Sequence, residues 1–179
     1  MERRKMPRRG RVILYIGGAR SGKSRLAQSR AESTANELIY IATGQAGDEE
    51  MAARIARHRA DRGQLWQTVE APRNLAAVLT DHDAPSRVLL VDCLTLWLSN
   101  LLLAGADAPA ATRELLRVLA EVKGIVLLVT NEVGMGIVPE NELARSFRDE
   151  AGRLHQQVAA VADEVLLVAA GLALSLKNS

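Results

Sequence analysis

The sequence predicts a three-layer α/β sandwich built on a mostly parallel sheet, and two features carry that prediction. Short β-rich runs alternate with segments of helix length from residue 11 onward. Three of the runs, VLLVD at 88–92, IVLLVT at 125–130 and VLLVA at 165–169, are almost continuously aliphatic, as strands are when helices cover both faces of a parallel sheet.

Taken in order, the strands are RVILYI at 11–16, LIYIA at 38–42, a short WQTVE at 66–70, and then the three aliphatic runs. Helical candidates lie between them at 23–34, 48–62, 74–79, 94–103, 112–122 and 141–162. In the last, Leu143, Phe147, Leu154, Val158 and Val161 recur at helical spacing, and Pro139 with Asn141 supplies a start. The same spacing assigns His155 to the polar outer face. Segment 94–103 is apolar but too short for a membrane span, so it reads as a buried helix. No repeat or linker divides the chain. The expectation is one domain over 11–179 behind a disordered basic tail over 1–10.

Of 179 residues, 48% are hydrophobic, enough for a core without metals or disulfides. The chain has 23 Lys and Arg against 21 Asp and Glu; the first nine residues hold five of the bases and one acid, leaving 18 against 20. A slightly acidic body argues against nucleic acid as a partner, because such binding shows a basic face. No apolar run reaches membrane-span length and no apolar segment follows the basic start, so the expected location is cytoplasmic. The single Cys93 cannot form an internal disulfide and reads as a small buried side chain.

The first strand runs directly into Gly17, Gly18, Ala19, Arg20, Ser21, Gly22, Lys23 and Ser24, with a helix-compatible stretch behind. This is G-x-x-x-x-G-K-[ST] in its required strand–loop–helix setting. Glycines let successive N–H groups turn inward, and a helix N-terminus favours phosphate oxygens. Lys23 is placed to reach the β and γ phosphates, and Ser24 to ligate Mg²⁺. The fold class is accordingly a P-loop NTPase of RecA-like type. Asp92, ending VLLVD, has two readings: a carboxylate holding the metal, or a cap for the following helix. Beside the P-loop the metal reading is favoured.

Further segments resemble the bifunctional adenosylcobinamide kinase / adenosylcobinamide-phosphate guanylyltransferase family. They are GGARSGKS at 17–24, YIAT at 40–43, EMAARIARHRADRGQLWQTVE at 50–70, VDCLTLWLSNLL at 91–102 and TNEVGMGIVPENELARSFRDEAGRLHQ at 130–156. The resemblance implies two reactions: ATP or GTP phosphorylates the aminopropanol hydroxyl of adenosylcobinamide, and GMP from GTP is then transferred to the new phosphate with release of pyrophosphate. It implies a GMP–histidine intermediate on His58, the histidine of the R-I-x-x-H match at 54–58. It also implies guanine-nucleotide contacts at the P-loop, at Ile41, Ala42 and Thr43, at Arg59, Ala60, Asp61 and Arg62, at Glu70 and at Asp92, and a homotrimer. The sequence departs from the family's G-x-P-x-x-x-K ending, since 171–177 lacks the proline. Some members carry Asn where His155 stands.

The chemistry is coherent with this assignment. Neutral imidazole is a nucleophile near neutral pH and needs little activation. Arg57, Arg59 and Arg62 surround His58 in the sequence; they can neutralise triphosphate charge and disfavour a protonated ring. Trp66 and Trp97 read as core, with Trp66 alternatively flanking the nucleotide, and His82 as solvated. The loop at 130–141 leaves the end of a strand, where open α/β sheets bind ligands, making Asn131 and Glu132 candidate contacts for substrate or metal. Two alternatives stay open. One is a simple P-loop small-molecule kinase in which His58 has no covalent role; the other is a RecA-like ATPase.

Overall fold

The computed structural model describes residues 10–34, 36–44 and 65–178. Its elements are β1 (Arg11–Gly17), α1 (Lys23–Glu32), β2 (Glu37–Ala42), β3 (Trp66–Glu70), α2 (Leu75–His82), β4 (Arg87–Asp92), α3 (Leu94–Leu103), α4 (Ala108–Ala120), β5 (Ile125–Asn131), α5 (Glu142–Val161), β6 (Glu164–Ala169) and β7 (Leu172–Asn178). The helix expected at 48–62 lies outside the described residues. Among the described residues seven strands form one sheet in the order β3-β2-β4-β5-β1-β6-β7. All neighbours pair in parallel except β6 and β7, which are antiparallel.

Alternation along each central strand divides the core into two layers. Val12 and Leu14 of β1, Ile39 and Ile41 of β2, Leu89 and Val91 of β4, and Val126 and Leu128 of β5 face α2, α3, α4 and α5. Their neighbours Ile13, Tyr15, Tyr40, Val88, Leu90, Leu127 and Val129 pack in the other layer with Ala27 and Ala31 of α1. Both faces are covered, which is why the strands are aliphatic throughout. Trp97 lies in the first layer, its ring N–H donating to the Arg73 carbonyl at 2.9 Å. Trp66 lies in the second, edge-on to Tyr40 with ring centroids 6.1 Å apart, and its N–H donates to Glu32 at 2.9 Å.

Helix starts follow from capping side chains. Asn141 accepts from the Ala144 N–H at 3.1 Å and opens α5. Helix α4 begins four residues before the expected 112, because Asp107 accepts from the Ala110 N–H at 2.8 Å with Pro109 in the first turn. Strand β7 was not expected. It follows β6 through Ala170 and Gly171, both at positive φ (52° and 79°), a pair suited to a two-residue hairpin turn. Leu172, Leu174 and Leu176 alternate along it and are exposed, as an edge strand permits.

The apolar stripe of α5 keeps Leu154 and Val158, with Phe147 and Val161 packed against the core, but it is wider than expected and starts later. Ala151, Leu154, His155 and Val158 are its buried residues, whereas Leu143 is exposed. His155 is therefore not surface: it is four residues after Ala151 and three before Val158, so helical geometry puts it on the stripe they define.

Lys177 of β7 closes the far end of this helix. Its ammonium donates to the carbonyls of Ala159 (3.0 Å), Ala160 (3.0 Å) and Ala162 (2.6 Å), acceptors that a helix C-terminus leaves unpaired and that carry its negative dipole end. Lys177→Met keeps the stem and removes these bonds. It is expected to cost about 1–3 kcal/mol, read as a lower denaturant midpoint; an unchanged midpoint would show that the clamp adds nothing.

Candidate active site

Because β1 to β6 run in parallel, they all end at one edge of the sheet. Gly17 pairs with Asn131 on one side and Val168 on the other, and Ala42 pairs with both Glu70 and Asp92. The P-loop, Ile41, Ala42, Thr43, Glu70, Asp92 and Asn131 thus share this edge. His58, Arg59, Ala60, Asp61 and Arg62 lie outside the described residues.

The P-loop is held by close backbone approach. A Cβ on Gly17 would stand 2.3 Å from the Val168 carbonyl oxygen and 2.8 Å from Ser21 Oγ, so only glycine fits. Gly22, the helix N-cap, has φ 99° and Arg20 φ 56°, both in the left-handed region. The hairpin turn between β6 and β7 braces the loop, with the Gly171 N–H donating to the Ser21 carbonyl at 2.8 Å. Gly18, Ala19 and Arg20 form the exposed tip. Lys23 is buried and its ammonium donates to the Gly18 carbonyl at 2.9 Å, so the side chain spans the cradle. Ser24 is half-buried in the first turn of α1. Ser21 Oγ is buried and has no hydrogen-bond partner among the described residues.

Asp92 ends β4, separated from Gly17 by β5. The Tyr40 hydroxyl donates to its Oδ2 at 3.1 Å. The N-cap of α3 is Cys93, not Asp92. Burial pushes the Cys93 thiol pKa up, the Asp92 charge adding to this, so the thiol stays protonated.

Behind this edge lies a polar network, buried at Thr43 and Cys93 and half-buried at Asn100. The Thr43 hydroxyl donates to the Cys93 carbonyl and accepts from the Cys93 N–H, both at 2.7 Å. Asn100 of α3 donates from Nδ2 to the carbonyls of Thr43 (2.7 Å) and Pro72 (2.9 Å). The side chains of Ile41 and Thr43 are both 0% exposed, whereas Glu70 is exposed at the end of β3. Sequence reading missed Tyr40 and Asn100. Asn100 had a signal, an amide inside the otherwise apolar LTLWLSNLLL.

At the end of β5, the Asn131 side-chain N–H donates to Thr95 Oγ1 at 3.3 Å. Both carboxylate oxygens of Glu132 accept from the loop that follows, from Gly134 N–H at 2.7 Å and Met135 N–H at 3.1 Å. Its role in the structure is to shape that loop. Among the described residues no group of three or more His, Cys, Asp or Glu could hold a metal, and no helix is long and apolar enough to cross a membrane.

His155 shares a 2.7 Å hydrogen bond with Thr130, next to Asn131. Burial holds its pKa below the ordinary 6.5, with the Glu132 charge opposing. The unfolded chain binds this proton more readily than the native one, so stability falls as pH drops through the ordinary value and levels off below the native one. His155→Asn is expected to lose less stability than the parent between about pH 8 and about pH 5.5, measured by denaturant midpoints. Equal losses would mean that His155 does not titrate differently on folding.

Residues 13–176 match the family described as cobinamide kinase / cobinamide phosphate guanyltransferase. The chain is 52% identical over 169 residues to the bifunctional adenosylcobalamin biosynthesis protein CobP of Pseudomonas aeruginosa, covering 92% of this chain and 96% of that protein. It is 45% identical over 181 residues to the bifunctional adenosylcobalamin biosynthesis protein CobU of Salmonella typhimurium, covering 93% and 99%. Two solved structures share the fold at low identity. The flagellar accessory protein FlaH of Methanocaldococcus jannaschii has a TM-score of 0.54 at 13% identity, over 96% of this chain and 80% of that one. The RadB recombinase has a TM-score of 0.54 at 14% identity, over 89% and 74%. These two show a shared fold, and the extent of the sequence matches goes further: the chain belongs to the cobinamide kinase / cobinamide phosphate guanyltransferase family.

Proposed function

We propose that this chain phosphorylates the aminopropanol hydroxyl of adenosylcobinamide with ATP or GTP, then transfers GMP from GTP to the product through a GMP–histidine intermediate on His58. The products are adenosylcobinamide-GDP and pyrophosphate, a step of cobalamin biosynthesis. One observation carries the reading: a P-loop, with its lysine across the cradle and an aspartate two strands away, in a chain whose match to the family spans residues 13–176.

In the kinase step the acceptor oxygen bonds to the γ phosphorus, its bond to the β–γ bridging oxygen breaks, and the hydroxyl proton is released. The protein's part is positioning and charge neutralisation. Lys23 follows the charge on the β and γ phosphates; Gly17 to Gly22 present backbone N–H groups to them. Ser24 and Asp92 supply oxygen donors suited to Mg²⁺, which is held by few protein oxygens plus phosphates and water. A bound Mg²⁺ would neutralise phosphate charge.

In the guanylyl step the His58 imidazole attacks the α phosphorus and expels pyrophosphate. A phosphate oxygen of adenosylcobinamide phosphate then attacks the same phosphorus and frees the imidazole. Ile41, Ala42, Thr43, Glu70 and Arg59 to Arg62 belong to the guanine-nucleotide site in this reading. Ile41 can contribute only backbone, since its side chain is fully buried. The reading also carries a homotrimer, a cytoplasmic location and no nucleic-acid partner.

Incubation with Mg²⁺ and GTP labelled at the α phosphorus is expected to leave GMP covalently attached, by an acid-labile, alkali-stable bond, with no retention of γ label. His58→Ala is expected to abolish the label and the guanylyl transfer while the kinase step persists, because γ-phosphoryl transfer to a hydroxyl needs no protein nucleophile. Label mapping to His82 or His155 would refute the assignment. A parent chain that never labels but phosphorylates the corrinoid would be a simple kinase.

A further inference from the structure

Strand pairing holds β2 against β3 as far as Ala42 and Glu70, and one further bond, Ala71 N–H to the Ala42 carbonyl at 2.8 Å, ends the ladder. Beyond it β3 leads into α2. These two exits carry Ile41, Ala42, Thr43 and Glu70, the residues assigned above to the guanine nucleotide. Among the described residues, one side chain from a helix couples the exits past the ladder. The Nδ2 group of Asn100 has two hydrogens, and its two bonds reach one carbonyl on each exit, Thr43 at 2.7 Å and Pro72 at 2.9 Å.

Thr43 extends the clamp to a third strand. Its hydroxyl takes both the N–H and the C=O of Cys93, directly after Asp92. Its backbone N–H donates to the Asp92 carbonyl at 3.4 Å. The exits of β3, β2 and β4 are thereby linked by short hydrogen bonds, and Thr43 is 0% exposed. The Thr43–Cys93 part of this network is buried, so a displacement there leaves buried polar groups unpaired, and Asn100 ties it to the exit of β3.

We infer that Asn100 is a positioning residue that sets the exits of β2 and β3 as one wall of the guanine-nucleotide site, so that nucleotide affinity beyond the phosphate cradle depends on it. This rests on the assignment of that wall to GTP. The P-loop lies across β4 and β5 from the clamp and is braced independently by the hairpin turn at Gly171. A pure phosphate ligand should therefore not register the loss of Asn100.

The test titrates Mg²⁺ with GTP, and Mg²⁺ with inorganic tripolyphosphate, into the full chain by calorimetry. Asn100→Asp keeps the shape but cannot donate. It is expected to weaken GTP at least about tenfold and to leave tripolyphosphate within about twofold of the parent. Should that variant not fold, Asn100→Ser, too short to reach both carbonyls, carries the same expectation. Equal weakening of both ligands would make Asn100 a general structural residue, and no weakening of GTP would make the clamp irrelevant to binding; either overturns the inference. Glu70→Ala separates the two levels. If it leaves GTP affinity unchanged, the wall itself does not hold the nucleotide and the underlying assignment falls; if it weakens GTP while Asn100→Asp does not, only the clamp falls.

Discussion

Parallel pairing is the constraint from which the site follows. Strands paired in parallel must each be followed by a crossover, so all of them deliver their last residues to the same edge. Gly17, Ala42, Glu70, Asp92 and Asn131 are such last residues. With β5 inserted between β4 and β1, Asp92 stands two strand spacings from the P-loop, roughly 10 Å, a gap that phosphates and a hydrated cation can fill. The aliphatic strands that make this sheet are thus also what spaces the polar groups of the chemistry.

Hydrophobic burial fixes the strands but not the few residues beyond their ends. There the chain uses backbone contacts and buried polar bonds. On the phosphate side the turn at Ala170 and Gly171 supports the P-loop by a bond to the Ser21 carbonyl, and Gly17 lies so close to Val168 that no side chain could intervene. On the nucleotide side Asn100 and Thr43 join three strand exits. Groups that must be held to fractions of an ångström are better placed by directional bonds than by apolar contact, which tolerates sliding.

Much of this was legible in the residues. The strand WQTVE and the helix 94–103 appear with the bounds that composition and length gave them, and the P-loop lies where its spacing required. Patterns over single elements fared less well where a neighbour decides the outcome. The Leu-x-Leu-x-Leu of β7 was present, but an edge strand with an exposed apolar face has the weak signature of any short alternating run. Spacing from Leu154 and Val158 assigned His155 to the outer face of its helix, yet the stripe through Ala151 and Val158 and a hydroxyl at Thr130 give it a buried place. Asn100 belongs to the same class: its polarity within an apolar helix was visible, but its partners lie 28 and 57 positions away. Such long-range pairings leave no periodic mark.

The most direct measurement for the whole account is the set of products, resolved by mass, that the full-length chain forms from adenosylcobinamide and GTP with Mg²⁺. Two successive products are predicted, adenosylcobinamide phosphate and then adenosylcobinamide-GDP, the second accompanied by pyrophosphate. Accumulation of the phosphate alone would contradict the two-reaction account and leave a kinase. Hydrolysis of GTP without any change in the corrinoid would contradict the account altogether.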